Sequence, residues 1–199
     1  MKTALVIIDL QNDFLASDGA YARGGCANPE ALHLPARVLP VARAVKAAGG
    51  MVVASQFTLW PDASGEPMVS PHLQRLRPFL RRGDFAPGSR GQACVDELQP
   101  VIDVCVQKVA YSAFFNTQLD WLLRKAGVGR VAVCGIVTNG GVASSVRDAH
   151  MRDYRTLVLS DGCAAFRTEV HDTALADMAT VAQVLSCADF SAALAANPA

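Results

Sequence analysis

The sequence predicts a single α/β domain over residues 1–199, folded as a three-layer, Rossmann-like structure. Its centre is a doubly wound, mostly parallel six-stranded sheet with helices on both faces. Two observations carry this. Short, continuous apolar runs of strand length recur along the chain, as expected for central parallel strands covered on both sides. Between them lie segments with apolar residues at helical spacing. The length of 199 residues suits one such domain.

The first strand is expected at 4–8, where every residue is apolar. Val38, Val41, Ala42 and Val45 then mark a helix that Gly49 and Gly50 stop. A second strand follows at 51–54. Residues 57–90 are rich in Pro, Gly and Arg and weakly periodic, the pattern of a long functional loop or of short helices. The third strand is expected at 101–106. Thr117 opens a helix with Asp120 in a capping-box-like pattern, and Gly127 closes it. A fourth strand spans 130–137 and a helix 139–151. A fifth strand spans 156–159, Thr168 caps another helix, and a short last strand falls at 182–185.

Composition excludes several classes. Hydrophobic residues make up 51% and charged residues 18%, which argues against disorder. The formal net charge is zero and the basic residues are dispersed, so no nucleic-acid partner is expected. The apolar start is short and interrupted by Asp9 and Asp13, unlike a signal peptide. No run approaches the roughly 20 apolar residues of a membrane span. A cytoplasmic protein without a membrane partner is the expectation. The six cysteines form no CxxC pair, which favours reduced, mostly buried thiols over zinc or thioredoxin chemistry. The four histidines, His33, His72, His150 and His171, have no ligand spacing, so no metal or other cofactor is expected.

Ligands of doubly wound sheets bind beyond the carboxyl ends of the strands. Asp9, Gln56, Lys108 and the turn 138–141 all fall at such ends. Asp9 could simply cap a turn and Lys108 could be a snorkelling edge lysine. Together they form a plausible proton-handling pair. Asn139, Gly140 and Gly141 open a helix whose first amides could hold a carboxylate or oxyanion, or could form an ordinary tight turn. Phe57, Trp60 and Phe85 could wall a pocket, though such aromatics are more often core.

The segments 6–14, 108–115 and 134–148 resemble the three signature blocks of the isochorismatase-like (cysteine hydrolase) superfamily. They read IIDLQNDF within the first, K-x-x-YSAFFNT around the second and CGIVTN at the start of the third. The similarity runs from Leu5 to about Leu185. It implies that Asp9 is a general acid or base, that Lys108 steers charge, and that the peptide between Ile136 and Val137 is cis. Its thiol members carry their nucleophile where this chain has Gly141. A glycine has no side chain to attack a carbonyl, so acyl-enzyme chemistry at that position is excluded.

The isochorismatases proper also carry glycine there, and hydrolyse a vinyl ether with the aspartate as general acid. Gln56 and Tyr111 match substrate-contacting positions of that subgroup, and Val137 and Gly141 match amides aimed at an oxyanion. Val137 departs from the tyrosine usual at its position. Arg81, Arg82 and Arg90 are the candidates for that subgroup's substrate-binding arginine. Zinc-binding relatives need histidines after the second strand, where this chain reads 56–61 without one. The resemblance implies a small-molecule substrate and a homo-oligomer, dimer or tetramer. Three readings follow: a hydrolase that needs no thiol, a binding or scaffold member without catalysis, and a hydrolase using another cysteine.

Overall fold

The computed structural model describes residues 1–196, and the last three residues of the expected 1–199 domain lie outside them. Six strands form one sheet: β1 Lys2–Ile8, β2 Met51–Phe57, β3 Val104–Lys108, β4 Val128–Ile136, β5 Arg155–Ala164 and β6 Gln183–Leu185. Their order is β3-β2-β1-β4-β5-β6 and every pairing is parallel, so the sheet is wholly rather than mostly parallel. The helices are α1 Asn12–Leu15, α2 Ala20–Arg23, α3 Leu34–Ala47, α4 Pro71–Leu76, α5 Leu119–Lys125, α6 Ala143–Met151, α7 Thr168–Met178 and α8 Cys187–Ala196. α3 and α8 pack on each other against the sheet, while α6 and α7 form a second packed pair. Residues 4–8 of β1 and 131–134 of β4 are fully buried, as two-sided coverage requires.

Several boundaries differ from the sequence expectation for identifiable reasons. Val101 lies in a 3-10 turn, Gln99–Val101, and β3 starts only at Val104. Asp103 first locks onto Val52: its carboxylate accepts from the Val52 N–H (2.8 Å) and its own N–H donates to the Val52 carbonyl (2.9 Å). β5 runs past Leu159 to Ala164. A bulge lets it resume pairing at Gly135–Cys163 and Ile136–Ala164. Thr117 does not cap a helix by the capping-box pattern. Its hydroxyl accepts from the Leu119 N–H (3.1 Å), α5 starts at Leu119, and Asp120 accepts from the Tyr154 hydroxyl instead (2.8 Å). The expected helix from Asn139 begins as a wide π-type turn, Thr138–Val142, before α6. Thr168 is the first residue of α7, not its cap.

The strand order reverses between β1 and β4, whose crossovers leave in opposite directions. This is the point at which a doubly wound sheet opens a crevice at its carboxyl edge. Here the two backbones touch. Gly135 pairs with Ile8 at φ +114°, and a Cβ on it would sit 2.1 Å from the Ile8 carbonyl oxygen. Only glycine allows that approach. Gly135→Ala should cost about 2–6 kcal/mol from backbone strain and overpacking together. Chemical denaturation would measure it, and a loss below 1 kcal/mol would contradict this packing.

Candidate active site

β1 delivers Asp9 to the switch point. Asp9 leaves the strand in a left-handed conformation (φ +54°), which aspartate tolerates better than most residues. Its carboxylate accepts from the Ser55 hydroxyl (2.7 Å) and meets the Lys108 ammonium at 2.7 Å. Lys108 ends β3 and is only 2% exposed. Its Nζ also donates to the Ala110 carbonyl (2.9 Å) and lies 5.6 Å from the centre of the Phe57 ring. Burial raises the Asp9 pKa above its ordinary 3.8, against the attraction of Lys108 and the hydrogen bonds from Lys108 and Ser55.

The neighbours of Asp9 in sequence do structural work. The Gln11 amide donates to the carbonyls of Phe57 (2.9 Å) and Gln92 (2.7 Å), and its oxygen accepts from the Phe57 N–H (2.8 Å). Asn12 donates to the Arg90 carbonyl (2.9 Å). The Asp13 carboxylate accepts from the amides of Ala20 (3.1 Å) and Phe85 (2.6 Å). These bonds hold the long connection after β2 against the carboxyl edge of the sheet.

The turn after β4 closes the far side. The Ile136–Val137 peptide is cis. The Thr138 hydroxyl bonds His171 Nδ1 (2.8 Å). The Ser145 hydroxyl donates to the Gly141 carbonyl (2.7 Å) and accepts from the Ala113 N–H (2.9 Å), which ties this turn to the segment after Lys108. Gly141 has little room for a side chain: a Cβ would lie 2.9 Å from the γ2 methyl of Ile8 and 3.1 Å from the Ile136 carbonyl oxygen. The space next to the backbone at 141 is thus taken by a buried, β-branched neighbour.

Between these elements lies a cavity of about 230 Å³. Asp9, Lys108, Gly141 and Val137 line it, with Tyr111 among its more exposed residues. Phe14, Tyr21, Phe57, Leu73, Leu80 and Phe166 supply apolar and aromatic walls, and His72 and Arg77 add polar groups from α4 and its end.

Residues 3–189 match the isochorismatase domain family. The chain belongs to the isochorismatase-like hydrolase family. It is 34% identical over 170 residues to a ureidoacrylate amidohydrolase, RutB, of Serratia proteamaculans (strain 568), covering 80% of this chain and 68% of that one. It is also 34% identical to the RutB of Agrobacterium fabrum (strain C58 / ATCC 33970), covering 80% and 75%. Among solved structures it resembles a cysteine hydrolase from Pseudomonas syringae pv. phaseolicola 1448A, with TM-score 0.84, 25% identity and 98% and 93% of the two chains covered. An N-carbamoylsarcosine amidase from Thermoplasma acidophilum gives TM-score 0.73 and 27% identity over 94% and 97%.

Against the family expectation, the cavity gathers Asp9, Lys108, Tyr111, Val137 and Gly141 but not Gln56. Strand alternation is the reason. Ser55 and Phe57 share the face toward Asp9, so Gln56 turns away, onto a second recess with Trp60 and Gln107, and donates to the Gln92 carbonyl (3.3 Å). Phe85 is wholly buried in a small aromatic cluster with Phe14 and Phe57. The expected arginines lie elsewhere: Arg82 pairs with Glu66 (3.1 Å), Arg90 pairs with Asp18 (3.0 Å), and Arg81 does not line the cavity. The arginine that does is Arg77, whose Nε donates to the Tyr21 hydroxyl (3.1 Å). Sequence reasoning missed Arg77, Tyr21 and Ser55. The lone serine in the apolar run 51–54 and beyond was the one available signal.

Among the described residues no cysteine lines the cavity. Cys134 is fully buried opposite Ile7, where burial pushes its thiol well up.

Lys108→Met should leave Asp9 buried without a counter-charge and cost about 3–5 kcal/mol at neutral pH. Asp9 already holds its proton more tightly in the folded wild type than in the unfolded chain, and without the ammonium it holds it more tightly still. The loss relative to wild type therefore grows as pH rises above the wild type's own raised Asp9 pKa, and shrinks below it. Denaturation at several pH values reads this out; a pH-independent loss would contradict the pairing.

Proposed function

We propose that this chain is a small-molecule hydrolase that works without a thiol, with Asp9 as the general acid–base. The observation that carries the proposal is the buried Asp9–Lys108 pair in a largely apolar cavity, beside a glycine. A general acid must hold its proton near neutral pH, and burial moves Asp9 in that direction. The Lys108 charge then stabilises the carboxylate left after the proton is delivered. With no side chain at 141, water has to supply the nucleophile, either activated by Asp9 as base or adding to a cation formed when Asp9 protonates an unsaturated carbon. The backbone amides of Val137 and Gly141 are the proposed partners for negative charge on oxygen.

The cavity suits a small substrate with a flat or apolar body. Arg77, braced by Tyr21, is the proposed contact for an anionic group on it. The similar amidohydrolases support a small amide or ureido compound, and the glycine at 141 supports a vinyl ether. Turnover of both classes, tested side by side, separates them. The rival reading is a binding member without catalysis, favoured by the missing nucleophile at Gly141 and by valine in place of tyrosine at 137. It requires a ligand that raises the melting temperature yet is never consumed.

Asp9→Asn should lower turnover by about 100- to 10,000-fold. If Asp9 acts as the acid, wild-type turnover should also fall as pH rises through its raised pKa. Unchanged turnover in Asp9→Asn would falsify the assignment. Arg77→Gln should raise KM for an anionic substrate by about 10- to 100-fold, with kcat changed much less. An equal effect on neutral substrates would rule out a charge contact.

A further inference from the structure

The turn after β4 presents the two amides on which the proposed chemistry depends, and it is pinned at both ends. Ser145 holds one end by donating to the Gly141 carbonyl (2.7 Å). Within the turn, the Gly140 and Val142 amides both donate to the Val137 carbonyl (2.9 and 3.3 Å). The other end is Thr138, which lies between Val137 and Gly141 and is fully buried. Its hydroxyl lies 2.8 Å from His171 Nδ1, the one side-chain hydrogen bond it makes among the described residues. His171 stands on the first turn of α7, which packs against this turn. Neither Thr138 nor His171 lines the cavity, so neither touches a substrate there.

A buried hydroxyl is a poor choice for filling space. Valine has nearly the same shape without an O–H to desolvate. What the hydroxyl adds is an anchor point. The threonine side chain has a single, stiff χ1 torsion, so fixing its Oγ1 fixes the backbone at 138.

We propose that Thr138 and His171 are a positioning pair that holds the Val137 and Gly141 amides aimed at the substrate oxygen on which negative charge develops. The inference rests on the oxyanion role given to those amides in the proposed function. Amides aimed in advance at developing charge stabilise it without reorganising. When Thr138 is freed, Ser145 and the Val137 carbonyl still hold the turn together, but the amides lose their fixed aim. Ground-state binding is then spared and the chemical step is slowed. The imidazole serves either as acceptor from the Thr138 hydroxyl or as donor to it, so the requirement is a polar atom at the Nδ1 position.

Steady-state kinetics of the full chain tests this, with planar amides and vinyl ethers as probes, benzamide and phenyl vinyl ether first. Thr138→Val and His171→Ala should each lower kcat about 10- to 100-fold, with KM nearly unchanged. The double variant should be no slower than either single one, because each breaks the same link. His171→Asn, which puts a polar atom where Nδ1 stands, should keep most of the wild-type kcat. His171→Gln, which puts it where Nε2 stands, should not. Wild-type kcat in the Thr138 and His171→Ala variants, additive losses, or a loss in His171→Asn as large as in His171→Ala would overturn the pair. So would a raised KM with kcat unchanged, the mark of a ground-state contact. His171 is half-buried, so its variants decide the matter even if Thr138→Val folds poorly. Asp9→Asn, measured alongside, separates the two readings. Its loss of turnover with full kcat in the Thr138 and His171 variants sinks the positioning pair alone. Full turnover in Asp9→Asn with slowed Thr138 and His171 variants sinks the general acid alone.

Discussion

A carboxylate and an ammonium that leave water together dominate this molecule. Asp9 and Lys108 are carried by β1 and β3, which are not neighbours; β2 lies between them. The ion pair therefore spans a strand, and Ser55 on that strand completes the hydrogen bonding of Asp9. A buried ion pair is seldom more stabilising than apolar residues of similar size, because both charges must be desolvated. Its place at the switch point, open to a cavity, makes chemistry the better account of its presence than stability.

The rest of the site follows from fixing that pair. Gln11, Asn12 and Asp13 spend their polar atoms on the backbone of the 57, 85 and 90–93 stretches. That network turns a long, weakly patterned connection into a wall, and it brings α4 and Arg77 over the cavity. Ser145 does the equivalent on the opposite side, joining Gly141 to the chain after Lys108. The residues nearest the proposed acid in sequence are thus its scaffold.

The sheet was legible in the sequence because buried parallel strands need unbroken apolar runs, and Asp9 and Lys108 stood out as charges ending such runs. Strand limits were less legible where tertiary hydrogen bonds set them. Asp103 delays β3, and the β5 bulge extends a strand past its apolar run. Gln56 lies off the cavity because resemblance gives a position, whereas strand alternation gives a direction. Arg77 was invisible because its placement depends on the Gln11–Asn12–Asp13 network rather than on any local pattern around it.

One feature of the sheet bears on how such a site would fail. β3 is an edge strand, bonded to β2 on one side only, yet it carries Lys108. Edge elements open at lower free energy than the centre of a fold. β1 and β4, with strands on both sides, hold Asp9 and Gly135 far more firmly. A partial opening that peels β3 would expose the ammonium and leave the carboxylate behind, while the remaining sheet stayed paired. On warming, the charge balance at Asp9 would then be lost before the fold, and hydrogen exchange at 104–108 would run ahead of exchange at 4–8.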